Sequence, residues 1–174
     1  MLDAARSLFR VHGMQELTMD QVAAAAGVGK GTVYRRFGDR SGLAAALLDD
    51  VESALQAGLL SGPPPLGPGA APSERLVAFV RAYLRLLDDN RELVLVSQTA
   101  AVGARFRTGS HRLWHLHVRT LLAGAGAADP AIRADALMAV LTAEQLQHWQ
   151  EDRGLSRRRL YGSLDRLCHA LSAA

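Results

Sequence analysis

A short cationic segment near the N-terminus carries side chains suited to binding a polyanion. Lysine and arginine neutralise phosphates, and arginine, threonine and tyrosine donate hydrogen bonds to phosphates and base edges. The segment GKGTVYRRF, residues 29–37, contains the only lysine of the chain. Its polar members are Lys30, Thr32, Tyr34, Arg35 and Arg36. These residue types at this density point to nucleic-acid binding, although a solvated basic face would have the same composition.

A helix must position these side chains. Gly29 and Gly31 allow the backbone at its beginning to approach a phosphate, where free amide groups carry the positive end of the helix dipole. Val33 and Phe37 are four residues apart, so both are predicted to pack inward and to leave polar side chains for a DNA groove. This arrangement is typical of the second helix of a helix-turn-helix motif.

The residues before this segment predict the other helices of such a motif. An apolar stripe predicts a first helix that stops near Gly13. Thr18 and Gln21 form a capping-box pattern, which predicts a second helix over 19–26. The third helix is predicted over 29–37.

A fourth helix is predicted to begin with Asp39 or Ser41 as its N-cap and to continue through Leu55. Five of the six prolines and four glycines then fall between Gly58 and Pro72, which predicts a loop of polyproline character.

The loop over 58–72 is predicted to separate a unit of residues 1–60 from a second unit of residues 73–174. The helical period and sparse β-branched residues predict an all-α fold. Asp129 before Pro130 marks the clearest helix start. The helices predicted in the second unit cover 73–87, 91–101, 108–125, 130–151 and 156–172.

Residues 2–48 resemble the DNA-binding domain of the TetR family of transcriptional repressors. The resemblance rests on the stretches AAAAGVGKGTVYRRF and FGDR, at the family's distance from the LF pair and from Thr18. It implies a three-helix DNA-binding domain, residues 1–48, with a helix-turn-helix. A fourth helix would join it to a larger helical domain, residues 49–174, that binds a small effector and dimerises.

The resemblance also implies which residues contact DNA. Two positions depart from the family pattern, since Gly29 stands where many members have serine and Arg36 where many have histidine. Taken alone, Thr18 could be only a helix cap, and Tyr34 could be packing. The implied contacts are Thr18, Gly29, Lys30, Gly31, Thr32, Tyr34, Arg35, Arg36 and Arg40.

Polar and aromatic residues within apolar helices are candidates for an effector site in the second unit. A cavity with several aromatics and few polar groups would suit a flat or amphipathic ligand, although such residues often only pack. The candidates are Phe79, Tyr83, Trp114, His115, Gln145 and Trp149. His111 and His115 share a helix face, but no carboxylate or cysteine accompanies them, so neither a metal nor a cofactor is predicted.

The last two predicted helices each have an apolar face. These faces could pair with those of a second copy as a four-helix interface, or could complete the monomer core. Because one helix-turn-helix makes few phosphate contacts, a homodimer on a palindromic operator is the stronger expectation. The apolar residues are Ile132, Ala136, Leu137, Val140, Leu141, Leu160, Leu164, Leu167, Cys168 and Leu171.

The composition narrows the class of protein. The single cysteine cannot form an intramolecular disulfide, and no membrane span or signal peptide is evident, so a cytoplasmic protein is expected. The net charge of +3 permits a nucleic-acid partner.

The leading hypothesis is a repressor released by a small effector. The alternatives are an activator or nucleoid-associated binder without an effector, and a small enzyme, for which the sequence shows no grouped catalytic residues.

Overall fold

Helices make up the fold. The computed structural model describes residues 1–99, 106 and 108–173, and no strand occurs among them. The predicted all-α class is confirmed. Within this part of the chain, no helix is both long and apolar enough to cross a membrane. The helices are α1 (Leu2–Glu16), α2 (Met19–Ala25), α3 (Lys30–Phe37), α4 (Arg40–Ser61), α5 (Pro72–Asp89), α6 (Arg91–Ser97), α7 (Gly109–Gly124), α8 (Pro130–Val140), α9 (Ala143–Gln147) and α10 (Arg157–Ser172).

The helices form two compact units whose boundary differs from the predicted one. The first unit contains Met1–Val51 together with α6, and the second contains Glu52–Asp89 and the described residues from Phe106 onward. The boundary therefore falls within α4. Helix α6 belongs to the first unit because it packs on α1, so its predicted place in the second unit is wrong.

The proline-rich loop is also shorter than predicted. Helix α4 continues to Ser61, through the first residues of the predicted 58–72 loop. Leu59 is buried, and this burial favours the last turn of the helix over the small cost of the glycine at position 58. The helix ends only where the run of prolines begins at Pro63.

Helix α1 is kinked where the sequence predicts its end. Gly13 has φ +72°, a left-handed conformation that favours glycine, and one further turn then reaches Glu16. Glu92 of α6 accepts a hydrogen bond from the Gln15 amide at 2.8 Å. A Cβ at Gly13 would lie 3.3 Å from both carboxylate oxygens of Glu92. The kink is therefore fixed by α6.

The predicted capping box is confirmed at α2. Thr18 Oγ1 accepts from the Gln21 amide at 3.2 Å, and the Gln21 side chain accepts from the Thr18 amide at 2.8 Å. At the beginning of α4, Asp39 and not Ser41 accepts the backbone bonds, from Ser41 at 2.8 Å and from Gly42 at 3.0 Å. The hydrogen bond from the Ser41 hydroxyl is the main cause of a lowered pKa at Asp39.

The prediction of a single helix over 130–151 is wrong. Pro130 begins α8 as expected, although the Asp129 side chain makes no capping hydrogen bond. The helix ends at Val140, and Thr142 is extended and caps α9 by accepting from the Gln145 amide at 3.0 Å. A threonine that caps competes with a continuous helix, and this explains the break. A π-helical turn, His148–Asp152, follows α9.

The apolar faces of the last helices serve mainly the monomer core. Leu160, Leu164 and Cys168 are buried where α10 packs against α5, and Leu137 of α8 is also buried. Arg81 of α5 also donates to both carboxylate oxygens of Asp165 on α10. These contacts within one chain hold α5 and α10 together. Three residues of the predicted interface are exposed, Ile132, Ala136 and Leu167.

Candidate functional site

Helix α3 presents a cationic face and buries an apolar one. Val33 is fully buried and Phe37 is half-buried, as predicted. On the other side, Tyr34 is 48% exposed, and Arg35 and Arg36 are also exposed. The arrangement leaves hydroxyl and guanidinium groups free to contact a polyanion.

Lys30 at the beginning of α3 is paired with a carboxylate that the sequence reasoning missed. Its Nζ lies 2.5 Å from Oδ2 of Asp20 on α2, and both side chains are exposed. The hydrogen bond to Asp20 and the charge of that carboxylate raise the pKa of Lys30. A phosphate binding to Lys30 would have to compete with Asp20.

The glycines beside Lys30 leave open space. A Cβ placed on Gly29 or on Gly31 would meet no atom within 4 Å. Packing within the chain therefore does not require glycine at either position, whereas close approach of an outside group would benefit from it. Arg35 Nε donates to the Gly31 carbonyl at 3.2 Å, which orients that side chain along the helix.

Two of the predicted DNA contacts also stabilise the local fold. The Thr18 hydroxyl donates to Gln21 Oε1 at 2.9 Å within the capping box. Arg40 Nη2 donates to the carbonyls of Met14 and Gln15 just after the α1 kink. Thr18, Arg40 and Tyr34 line one cleft of about 570 Å³ in the first unit.

Three candidate effector residues come together in the second unit. Phe79 stacks on Tyr83 with ring centroids 5.6 Å apart and an interplanar angle of 13°. The Trp114 ring lies 6.0 Å from Phe79 and 5.9 Å from Tyr83. Phe79 and Trp114 are fully buried, and we call these three residues the aromatic cluster.

The other three candidates lie elsewhere in the second unit. His115 Nε2 is 2.8 Å from Asp135 Oδ1, near enough for an ion pair when the ring is protonated but not aligned for a hydrogen bond. Gln145 and Trp149 are half-buried on α9 and on the π-helical turn. Among the described rings, no ring-to-ring interaction joins Trp149 to the aromatic cluster.

His117 extends the aromatic cluster, and the sequence reasoning did not select it. Its ring packs edge-on against Phe79 at 5.3 Å. Burial, together with the charge of Arg75, lowers the pKa of His117 to about 4. Neither His117 Nε2 nor Arg75 Nε is accessible to solvent or has a hydrogen-bond partner. This part of the interior is therefore polar and incompletely satisfied.

The comparison with protein families concerns the segment that contains α1 to α3. Residues 1–47 match the model of the bacterial regulatory proteins of the tetR family. This segment is therefore similar to the tetR-family regulators. The resemblance noted over residues 2–48 is thereby confirmed, and the chain shares its fold with solved TetR-family structures. No curated protein sequence matches the chain.

Solved structures, two of the three described next being TetR-like or TetR-family regulators, share the fold over nearly the whole chain. A TetR-family transcriptional regulator from Pectobacterium atrosepticum is 24% identical with a TM-score of 0.70, covering 98% of this chain and 91% of its own. A TetR-like regulator from Rhodococcus sp. RHA1 is 23% identical with a TM-score of 0.63, covering 97% and 91%. The structure of BioQ is 20% identical with a TM-score of 0.70, covering 99% and 96%.

Within the segment that matches the tetR-family model, the residues implied by the motif lie on α3 and at the beginnings of α2 and α4. Asp20 was missed because an ion pair between residues ten apart leaves no periodic signal. In the other unit, Arg75 has the ordinary appearance of a charged residue on an amphipathic helix, so only the packing reveals its unusual environment.

Proposed function

We propose that this protein is a TetR-like transcriptional repressor that binds a palindromic operator as a homodimer and is released by a small-molecule effector. The observation that carries the proposal is the exposed cationic face of α3 inside a domain that matches the tetR family. The protein would act in the cytoplasm and would not be an enzyme.

The DNA-binding surface would consist of α3 and the caps beside it. The Lys30 ammonium would exchange Asp20 for a phosphate, and Gly29 and Gly31 would let the backbone come close to the strand. Tyr34 and Arg35 would read base edges. The full set of contacts would be Thr18, Gly29, Lys30, Gly31, Thr32, Tyr34, Arg35, Arg36 and Arg40.

Dimerisation through the last two predicted helices would supply the second recognition helix. Residues 49–174 would form the effector-binding and dimerisation domain, and residues 1–48 the DNA-binding domain. In a dimer, the two α3 helices would enter successive major grooves about 34 to 36 Å apart. Ile132 and Leu167 are the exposed apolar side chains that a partner would cover.

The effector would bind in the second unit near the aromatic cluster. Phe79, Tyr83, Trp114, His115, Gln145 and Trp149 are the candidate residues. An effector that binds the DNA-free conformation more tightly would reduce the operator affinity, and couplings of about 1 to 3 kcal/mol are typical of such proteins.

Two variants test the proposed DNA-binding surface. One removes the charge of Lys30, and the other frees that charge from its ion pair. Lys30→Ala should weaken binding to any duplex and reduce the slope of log affinity against log salt by about 1 per protomer, because one phosphate contact is lost. Asp20→Asn should have the opposite effect, because it frees Lys30 from its ion pair. Fluorescence anisotropy with a labelled random-sequence duplex, across a salt series, measures both.

Arg119→Ala is the matched control, since it removes an exposed positive charge from α7 in the second unit. It should leave the salt slope unchanged.

Selection from a pool of random duplexes should give a palindromic site, and Arg35→Ala or Tyr34→Ala should relax one position in each half-site. The proposal fails if the wild-type protein does not bind duplex DNA at low salt, or if Arg119→Ala matches Lys30→Ala.

A further inference from the structure

We propose that Arg75 and His117 form the polar end of a binding site in the second unit for a monoanionic aromatic carboxylate. The ring system of this ligand would insert against the aromatic cluster, whose Phe79 and Trp114 side chains are fully buried in this structure. The inference names the chemical class of the effector, so its regulatory meaning rests on the proposed function, whereas the binding itself does not.

Arg75 is a cation without an anionic partner among the residues that the structure describes. Its Nη2 donates to the Leu59 carbonyl at 3.2 Å, near the C-terminal end of α4. It has no ion pair with any described carboxylate, and its Nε has no acceptor. By contrast, Arg81 and Arg157 in the same unit each pair with an aspartate. Arg75 is half-buried, so its guanidinium keeps some hydration, but leaving the buried Nε without an acceptor is costly.

His117 has an unsatisfied nitrogen beside this charge. Its Nε2 is buried without a hydrogen-bond partner, although the residue as a whole is only half-buried. Arg75 is also half-buried, so both side chains keep some accessible surface through which a ligand could reach them. Buried polar atoms without partners are rare in proteins and commonly mark a site for a water, an ion or a ligand.

The aromatic cluster continues directly from His117. The imidazole packs edge-on against Phe79, which in turn stacks on Tyr83. Aromatic surface next to a cation favours a ligand with a flat apolar body and a negative end. A guanidinium binds a carboxylate through two parallel hydrogen bonds. Because Arg75 supplies a single positive charge and His117 is neutral near pH 7, one carboxylate matches the site better than a doubly charged phosphate.

Two ligands that differ only in charge test the inference. Isothermal titration calorimetry of the full chain with 2-naphthoate and with 2-naphthamide compares the same ring system with and without the carboxylate. We expect 2-naphthoate to bind at least tenfold more tightly than the amide. Naphthyl phosphate, titrated in the same way, should bind more weakly than 2-naphthoate. Equal binding of the carboxylate and the amide, tighter binding of the phosphate, or no binding of 2-naphthoate would overturn the inference.

Substitutions of arginines on α5 test whether 2-naphthoate binds at Arg75. Arg75→Gln keeps a donor for the Leu59 carbonyl but removes the charge, and it should lower the affinity for 2-naphthoate at least tenfold without changing that for the amide. Arg75→Lys should recover part of the affinity, since it keeps the charge. Arg85→Gln is the matched control, because Arg85 is an exposed arginine on the same helix. If Arg85→Gln weakens binding as much as Arg75→Gln, the carboxylate binds at the surface and the inference is wrong.

The same ligand separates this inference from the proposed function. Added to the protein bound to its selected duplex, 2-naphthoate should release the DNA, and Arg75→Gln should prevent the release. Binding of 2-naphthoate at Arg75 without any change in DNA affinity would support the site and contradict the effector role. Absence of DNA binding by the wild-type protein would contradict the proposed function and leave the calorimetric result to decide the site.

Discussion

His117 shows how burial changes the chemistry of a single residue. Its pKa falls from 6.5 to about 4, first because burial penalises the charged ring and second because Arg75 is close. The unfolded chain therefore binds more protons than the folded one between these pH values. The contribution of His117 to the free energy of unfolding is therefore most favourable above pH 6.5. It becomes less favourable as the pH falls toward 4, because the unfolded chain is protonated first.

The variant His117→Gln should reduce this loss. Because the ring keeps some contact with solvent, we expect the difference in unfolding free energy between wild type and variant to change by roughly 1 to 2 kcal/mol between pH 7 and pH 4.5. Urea denaturation at a series of pH values measures it. His12→Gln, at an exposed histidine of α1, is the control for removing a histidine. A constant difference for His117→Gln would contradict the prediction.

At the scale of elements, the kink of α1 should depend on one glycine. Gly13→Ala should lower the free energy of unfolding by about 1 to 2 kcal/mol, because a positive φ disfavours any Cβ. The added Cβ would also press on Glu92 at 3.3 Å. The matched variant Gly31→Ala lies inside helix α3 with open space around it, so it should stabilise by up to about 1 kcal/mol.

The midpoints of urea denaturation for the two glycine variants should therefore move in opposite directions, with unchanged slopes. If both midpoints move the same way, the left-handed conformation at Gly13 does not limit stability. Glu92→Ala should reproduce part of the Gly13→Ala loss, because the Gln15 amide would lose its acceptor at 2.8 Å.

At the scale of the whole molecule, the proposed dimer should depend on Ile132, which is 68% exposed in the single chain. Ile132→Asp should convert the dimer to a monomer, since a two-fold interface would bury the unpaired carboxylate twice. Sedimentation velocity measures the change. Affinity for a palindromic duplex should fall at least tenfold, because a monomer contacts only one half-site.

Leu60 offers a control for this substitution, because it is equally exposed at 70% but lies on α4 and not on the last helices. Leu60→Asp should leave both the oligomeric state and the DNA affinity unchanged. A monomer produced by Leu60→Asp and not by Ile132→Asp would place the interface elsewhere.

The sequence by itself determined helices α2 and α3 and the polar face of α3. Each rests on signals within a few residues. The capping box at Thr18, Gly38 after α3 and the inward position of Val33 are local choices that the backbone makes without distant contacts. The family motif lies in the same stretch, so the nature of the domain could also be recognised.

The tertiary structure alone decided which distant residues meet. It assigned α6 to the first unit, paired Asp20 with Lys30, and placed Arg75 near His117 without an anionic partner. In the tertiary structure, most of the apolar face of α10 is also buried within the monomer. The physical reason is that an amphipathic helix specifies that one face will be covered but not by what, because burial of apolar surface is not directional. The partners become fixed only when all the helices pack together.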